Sequence, residues 1–524
     1  MILTESALEL NAEFKRALDL MEQGKNVFIT GKAGSGKSTL LDLFRKQTRK
    51  RIAVLAPTGV AALNVQGQTI HSFFKFYPDI TVAKARKKAP KKELAEVLKK
   101  LDALVIDEIS MVRADLLDCV NEFLKHHGPK KKQPFGGLQV VFIGDLYQLP
   151  PVITWEEREY FNGVYESEYF FDSNAFKEIP VEFVELETVY RQKDRDFIEL
   201  LNAVRTNSIN DNQLNLLNRG AGLDFGDGQT EYRVFLTTTK NLAKEVNDLE
   251  LEKLSSLQRC FTGKVKGEFQ SKELPTEKEL VLKVGAQIMM LTNEPSGNWV
   301  NGSIGKVTAI NKVLGGGDEV LEVKLSTGRV VDVKKFTWNS FNYAFNEEKD
   351  DLETQVAGSF TQYPLKLAWA VTIHKSQGKT FDDVVIDFGN GTFAPGQAYV
   401  ALSRCTSLKG IVLKRPLEKR HVFADWRVVR FMESLNGKTS PKRVSLDEKL
   451  SIVESAISKK NLLELVYLNA SGEKSTRVIR PEFLGNMEFE GAVYFGVRGF
   501  CLKRNEDRTF KLNRMLEVKE VPRQ

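Results

Sequence analysis

Cysteine is scarce: four in 524 residues. Cys119, Cys260, Cys405 and Cys501 lie far apart and none belongs to a CxxC pair, which excludes a disulfide framework and gives no zinc-ligand spacing, so buried, reduced thiols are expected. No apolar run reaches the roughly 18 residues that a membrane-spanning helix needs. The first residues, MILTESALELNAEFKRAL, carry acids among their apolar side chains and lack the basic-then-apolar order of a secretory leader, so a cytoplasmic place is expected. A strong charge bias is missing too: 76 Lys+Arg against 69 Asp+Glu leaves +7, which is compatible with a polyanionic partner without demanding one. There is no short-period repeat and no low-complexity tract. What remains is a chain 42% hydrophobic and 28% charged, too apolar for disorder and long enough for three or four domains of about 150 residues each.

Over the first 150 residues, the β-branched runs NVFIT, IAVLAP, LVIDE and VVFIGD alternate with helical stretches, the rhythm of a parallel α/β sheet. A second set, RVFLTTT from Arg233, VVIDF from Val384 and GIVLK from Gly410, follows a helical stretch around Phe197 to Arg219 and predicts another α/β unit. Between about Asn293 and Gln362 the pattern changes to short alternating strands with GSIG and LGGGD turns, as for a small β-barrel inserted in the second unit. After Leu435, NGKTSPKRVS reads as a linker; a short helix from Asp447 to Ser458 and a nearly all-strand module follow. The expected domains are 1–190, 191–292 with 363–435, an insert at 293–362, a linker and helix at 436–455, and a C-terminal module at 456–524.

Gly31 to Ser38 read GKAGSGKS, which satisfies GxxxxGK[ST] between a strand and a helix. In such a loop Gly31, Ala33, Gly34, Ser35, Gly36, Lys37, Ser38 and Thr39 surround phosphates: backbone N–H groups point inward, Lys37 neutralises the β and γ phosphates, and the Ser38 hydroxyl ligates Mg²⁺. Seventy residues on, LVIDEIS delivers Asp107 for the metal and Glu108 for the attacking water, a pair that favours ATP hydrolysis over mere binding. The strand VVFIGD stops at Asp145 and runs into LYQLPPV, placing Gln148 where it can sense a γ-phosphate.

The segments APTGVAALNVQGQTIHSFF, LVIDEISMVRADLLD, VVFIGDLYQLPPV, VYRQ, WAVTIHKSQGKTF and VALSRCTS occur in this order and together resemble superfamily 1 DNA helicases of the PIF (petite integration frequency) type, over about Leu10 to Leu417. The resemblance implies two RecA-like parallel-sheet domains with ATP between them, an SH3-like insert in the second, and 5′-to-3′ translocation along single-stranded DNA. It implies that Arg191 in VYRQ and Arg404 in ALSRC reach the phosphates, with Gly378 beside the nucleotide. Thr58, Gly59, His71, Ser72, Thr237, Thr239, Thr372, His374 and Lys375 become the DNA-facing set, hydroxyls, amides and cations suited to gripping a backbone without reading sequence. Trp299, in the NEPSGNWVNGSIG run that leads into the insert, is expected to fill a small core or touch DNA. The family works in replication, clearance of DNA structures and recombination; tailed or structured duplex DNA as partner, a place at the bacterial nucleoid, a monomeric state and no membrane partner are expected. Where family members often carry an adenine-reading glutamine, LELNAEFKRAL offers Asn11. Lys84 to Lys100 holds eight basic and two acidic residues, a solvated face or a second phosphate surface.

In the C-terminal module, RVIRPEFLG, AVYFGVRGFC and RTFKLNRM resemble a WYL domain, a small Sm-like β-barrel, over about Ala456 to Val518. The naming tripeptide stands here as Val493, Tyr494 and Phe495. By position Arg480, Tyr494, Arg504, Arg508 and Arg514, with Phe510, match its ligand pattern, and arginines beside aromatics suit a nucleotide or single strand. Two other readings fit the residues: a remodeller of RNA or RNA:DNA hybrids, and a nucleotide-gated regulator built on the WYL module.

Overall fold

The computed structural model describes residues 11–522 apart from 155–156, 158–160, 162, 220, 223–231, 268, 270–273, 295, 313–318, 347–350, 390, 436–445, 469–473 and 490–491. The LGGGD turn and the expected linker at 436–445 lie outside the described residues. The chain divides into two units, Met1–Val422 and Phe423–Gln524. Among the described residues no helix is long and apolar enough to cross a membrane.

The first sheet is parallel throughout and has six strands: β1 (Val27–Gly31), β2 (Ile52–Ala56), β3 (Gln68–Thr69), β4 (Ala103–Ile106), β5 (Gln139–Ile143) and β6 (Glu182–Leu186), in the order β3-β2-β4-β5-β1-β6. Strands β1, β4 and β5 are buried along their whole length, because helices cover both faces, and this is why they read as continuous apolar runs. The helices Ala12–Glu22 and Lys37–Gln47 supply Phe14, Met21, Leu40 and Phe44 to a core closed by Val27, Ile29, Val141 and Val184. Asn11 caps the first of these helices by accepting from the Phe14 amide at 2.8 Å, and its amide donates to the Thr188 and Tyr190 hydroxyls at 3.3 Å.

The second sheet opens with β7 (Val234–Thr237) and is then interrupted by β8 (Arg259–Thr262), β9 (Lys264–Gly267), β10 (Glu279–Leu282), β11 (Gln287–Met290), β12 (Ile304–Asn311), β13 (Val320–Leu325), β14 (Val330–Val333), β15 (Phe336–Asn346), β16 (Asp351–Gln362) and β17 (Leu365–Leu367). It resumes with β18 (Ala370–Thr372), β19 (Val384–Asp387) and β20 (Ile411–Leu413), giving the parallel order β18-β7-β19-β20. The interruption holds an antiparallel sheet β14-β13-β12-β11-β17 around Leu282, Ile288, Val323 and Tyr363, with Trp299 packed on it, so this tryptophan fills core. The insert therefore takes in residues on either side of the expected 293–362: β11 pairs with both β12 and β17, and runs of three or four residues are too short to show a period in the sequence.

The hairpin β15–β16 reaches back to the first sheet. Because β3 pairs only with Leu55 and Ala56, the main chain of Val54 is left without a strand partner on that side; the Tyr343 hydroxyl takes the Val54 N–H at 2.8 Å and donates to the Val54 carbonyl at 3.4 Å. Gln68 donates to Asn342 Oδ1 at 2.8 Å and to the Phe341 carbonyl, and Phe73 meets Tyr343 edge-on.

The second unit contains the helices Trp426–Leu435 and Leu446–Ser458 and an antiparallel sheet of β21 (Leu462–Leu468), β22 (Lys474–Phe489), β23 (Ala492–Cys501), β24 (Glu506–Lys511) and β25 (Met515–Val521), ordered β24-β23-β22-β21-β25. Val453 and Ala456 complete its core with Leu463, Ile479, Val497 and Phe510, so the helix expected beside the linker belongs to the barrel. The helix Trp426–Leu435, expected in the second sheet domain, also falls in this unit. Three cysteines are buried as expected; Cys260 is exposed, since its strand β8 pairs only with β10, and it donates to Glu279 at 3.4 Å.

Candidate active site

The turn from β1 into the helix Lys37–Gln47 depends on left-handed backbone at Gly34 (φ 80°) and Gly36 (φ 87°). Close approach matters as much: a β-carbon on Gly34 would lie 2.4 Å from Arg191 Cβ, and one on Gly36 2.9 Å from Phe14 Cζ. Lys37 Nζ donates to the carbonyls of Gly31 (2.7 Å) and Lys32 (3.0 Å). Burial holds its pKa below the ordinary lysine value, against the pull of Asp145 and Glu108. The hydroxyls of Thr30 and Ser35 are buried without a partner, as is that of Ser110, two residues past Glu108. Ser38 is exposed at the first turn of the helix.

Asp107 follows β4, and Glu108 adopts a left-handed backbone (φ 49°) that turns its carboxyl into the cleft. Burial and then the neighbouring Glu108 push the Asp107 pKa up, while Lys37 opposes the rise. Burial raises Glu108 as well, offset by Lys37 and Arg404. The buried Asp107 beside the half-buried Glu108, the orphaned hydroxyls and a lysine that among the described residues bonds carbonyls fit a metal–triphosphate. Among the described residues there is no cluster of three His, Cys, Asp or Glu that could hold a metal ion.

Gln148 donates to Asp145 Oδ2 at 3.3 Å and accepts from Gln377 Nε2 at 3.0 Å; the same Gln377 amide lies 3.4 Å from Glu108 Oε2. Asp145, fully buried, pairs with Arg205 at 3.2 Å; Arg205 also reaches Glu185 at 3.4 Å and lies over the Tyr147 ring. From the helix Gln397–Leu402, the Tyr399 hydroxyl accepts the Ala33 N–H at 2.8 Å, joining the second sheet's half directly to the phosphate loop. Sequence reasoning missed Gln377, Arg205 and Tyr399. Gln377 sits in the HKSQG run already singled out, which was the available signal; the other two are single residues on helices with no local mark.

Arg191 donates to the Ser403 carbonyl at 3.3 Å, and the adjacent Gln192 to Ser403 and Cys405 carbonyls at 3.2 and 3.0 Å. Arg404, 1% exposed, donates to the Val400 carbonyl (2.8 Å) and the Ser403 hydroxyl (2.9 Å). Burial, then Arg191, lowers its pKa to about 9. Neither guanidinium forms an ion pair among the described residues; Arg404 instead spends Nε, Nη1 and Nη2 on oxygens of Val400, Ser376, Lys379 and Ser403. Gly378 has a left-handed φ of 78° and open space around it.

The strand-gripping candidates lie at the C-terminal ends of parallel strands, where α/β sheets bind ligands. Thr58, Thr239 and Thr372 accept bonds from the amides of Ala61 (3.3 Å), Leu242 (3.4 Å) and Lys375 (3.2 Å), which leaves the O–H of the half-buried Thr58 and the exposed Thr239 free to donate outward, whereas Thr372 is buried. Thr237 differs: it is buried and spends its proton on the Thr239 carbonyl at 3.2 Å, so it braces that cap. Gly59 and Ser72 line one cleft with Phe269, Ser340 and Phe341 of the insert. Burial lowers the pKa of His71 and of His374, and His374 stacks on Phe393, which is exposed. The basic segment forms two helices, Val82–Lys87 and Lys92–Lys100, with Arg86 paired to Glu122 at 2.6 Å.

The PIF1-like helicase family model matches residues 9–215, and the WYL domain model residues 448–520. The ATP-dependent DNA helicase Pif1 of Bdellovibrio bacteriovorus is 34% identical over 443 residues, covering 82% of this chain and 93% of its own. The chain belongs to the PIF1-like helicase family. Unliganded Pif1 from Bacteroides sp, 36% identical, overlays with a TM-score of 0.74 over 84% of this chain and 98% of its own. The same relative bound to single-stranded DNA overlays at 0.60 with the same coverage, so the arrangement described here is nearer the strand-free form.

In this family member's WYL unit the expected ligand residues do not share a face. Arg480 pairs across the strands with Phe500, whereas Arg508 pairs with Gly499 and points to the opposite side. Arg504 lies in the turn after β23 and Arg514 in the short turn Leu512–Arg514; the side chain of Tyr494 lies outside the described residues. A bulge between Pro481 and Phe483 instead sets Arg480 over Phe500 (5.3 Å) beside Arg498 over Phe483 (5.8 Å) on one outer face.

Proposed function

We propose that this PIF1-like helicase is an ATP-dependent motor that moves 5′ to 3′ along single-stranded DNA and parts tailed or structured duplexes, as a monomer in the bacterial cytoplasm at the nucleoid. The observation that carries the reading is the Gln148–Gln377–Glu108 chain: Gln377, which bonds both the water-orienting Gln148 and the base Glu108, stands two residues from Lys375, which grips the strand.

In this reading the amides of the loop from Ala33 to Ser38, with Lys37, hold the β and γ phosphates. Mg²⁺ held by Ser38 and Asp107 would shield phosphate charge. Glu108, whose affinity for protons is raised by burial, takes one from the attacking water, and Gln148 orients that water. Arg191 and Arg404 offset the charge that develops on the transferred phosphoryl group; the Arg191 backbone lies against Gly34 of the phosphate loop, whereas Arg404 comes with Ser403 from the second sheet's half, so its contribution depends on closure. A strand that moves Lys375 moves Gln377, which ties turnover to DNA. The WYL unit adds a platform of two arginine–aromatic pairs for the same strand.

The test is ATP-dependent unwinding of matched partial duplexes with a 5′ or a 3′ tail, with Lys37→Ala as the inactive control. Only the 5′-tailed substrate should open. Opening of the 3′-tailed substrate would overturn the direction, equal activity on RNA tails would favour a hybrid remodeller, and DNA-stimulated hydrolysis without unwinding would favour a switch. A chain ending at Val422 should lose affinity for the tail if the WYL platform holds it.

A further inference from the structure

Four neighbouring strands of the first sheet, in the order β2-β4-β5-β1, begin along one edge, fed by the loops 48–51, 99–102, 128–138 and 22–26. Gln139 ties these loops together. Its Oε1 accepts from Lys50 Nζ at 2.8 Å, its Nε2 donates to the carbonyls of Met21 (2.8 Å) and Lys25 (2.6 Å), and its main-chain N–H donates to the Asp102 carbonyl at 3.2 Å. The loops hold nine basic and two acidic residues, an excess as large as the whole chain's +7, so the remainder of the chain is balanced and this edge is not. Asp102 pairs with Arg51 at 3.0 Å. Arg49, Lys99, Lys130, Lys131 and Lys132 are exposed and form no ion pair among the described residues.

The turn that carries three of these lysines is held in place. The Lys130 N–H donates to the Gly136 carbonyl at 2.7 Å, the Lys132 N–H to the Lys125 carbonyl at 2.8 Å, and the Phe135 N–H to Asn121 Oδ1 at 2.7 Å. Lys132 (φ 67°) and Phe135 (φ 50°) keep left-handed backbone, a strain that persists where the surroundings over-determine a turn, as at ligand clamps.

Helix ends account for only part of the charge. The helices Ala12–Glu22, Lys37–Gln47, Lys92–Lys100 and Ala114–His127 finish at this edge, and each offers about half a negative charge, roughly −2 in all. Most of the excess is left for a partner. A protein partner would need apolar anchors, and no exposed large hydrophobic residue lies in the four loops. The same absence leaves bases of a single strand nothing to stack on. A row of cations across three inter-strand gaps, roughly 14 Å, suits the phosphates of a duplex. It lies at the far end of β2 from Thr58 and Gly59, roughly 17 Å away. That is the rise of about five base pairs, so one tailed molecule reaches both ends of the strand.

We infer that the edge where the first sheet's strands begin docks the phosphate backbone of the duplex arm of a tailed substrate, without reading its sequence. This rests on the helicase reading and adds a second hold on the DNA, opposite the strand-gripping set.

The experiment uses the full chain with Lys130→Gln, Lys131→Gln and Lys132→Gln combined and, separately, Arg49→Gln with Lys99→Gln, all exposed positions. Affinities for a 5′-tailed duplex, for oligo-dT of the tail's length and for blunt duplex are measured across a salt series, with oligo-dT-stimulated ATP hydrolysis alongside. Wild type should bind the tailed duplex more tightly than the tail alone. Each variant should bind the tailed duplex at least about tenfold more weakly at low salt, and the triple variant should lose about 2–3 from the slope of log affinity against log salt. Oligo-dT affinity, its slope and ATP hydrolysis should not change. Variants that match wild type on the tailed duplex would overturn the proposal and leave the row to an acidic protein, and so would an equal loss on oligo-dT. Variants that lose blunt-duplex binding alone would overturn the assignment to the substrate's own arm. A wild-type chain that ignores oligo-dT would instead sink the helicase reading itself.

Discussion

Gly34 is where the phosphate loop touches the segment that carries Arg191, and Gly34→Ala tests whether that contact serves turnover. Its φ of 80° suits glycine, and an L-residue there costs about 1–2 kcal/mol. The larger effect is steric. The added β-carbon would meet Arg191 Cβ at 2.4 Å, its amide nitrogen at 3.3 Å and its Cα at 3.5 Å, atoms that no rotamer change moves. The chain at Tyr190–Arg191, where the Tyr190 N–H donates to the Gly34 carbonyl at 2.9 Å, has to retreat, and the Arg191 bond to Ser403 goes with it. An arginine that stabilises a transferring phosphoryl group is worth about 10³–10⁵ in kcat, or roughly 4–7 kcal/mol at 1.36 kcal/mol per decade. Partial displacement should therefore lower DNA-stimulated ATP hydrolysis at least about 100-fold. Steady-state hydrolysis is compared for Gly34→Ala, Arg191→Ala and the double variant. If the glycine acts through Arg191, the double variant is no slower than Arg191→Ala within about threefold. Near-normal turnover of Gly34→Ala, or a double variant slowed by the product of both effects, would refute the reasoning.

Two further outcomes follow from buried charge. Arg205→Met leaves Asp145, fully buried, without its cation and should destabilise the chain by about 3–5 kcal/mol in urea unfolding, with part of the loss recovered by adding Asp145→Asn. For Lys379, the unfolded chain keeps its proton up to pH 10.5 and the folded one only to about 8, so the unfolded state binds more protons between these values and stability rises with pH across that window. The gain is roughly 3 kcal/mol in all. Comparing wild type with Lys379→Met from pH 7 to 10.5 should show that the variant's advantage shrinks above pH 8, and a constant difference would contradict the assignment.

The nucleotide loop, the Asp107–Glu108 pair and the strands that carry them were legible because local chain geometry dictates them: a phosphate loop needs glycine where the backbone turns left-handed, and a two-sided sheet needs continuous apolar runs. Arg205, Tyr399 and Tyr343 were not, since each works through a partner 60 to 366 positions away, Asp145, Ala33 and Val54 respectively. The pairing of Arg480 with Phe483 on one face of the WYL unit was not legible for a different reason. Alternation of side chains assumes an unbroken strand, and the bulge after Pro481 puts residues three apart, Arg480 and Phe483, on the same side.

The interruption of the second sheet bears on how the chain is made. Strand β7 is central, flanked by β18 and β19, yet both partners leave the ribosome more than 130 residues later. At about 5–20 residues per second that delay is roughly 7–27 s, far longer than the microseconds in which a hairpin forms. The antiparallel insert, whose pairings are mostly local, can be complete while β7 still offers two unpaired edges, so the nascent chain's most vulnerable moment for chaperone capture or aggregation falls between the synthesis of Thr237 and that of Asp387.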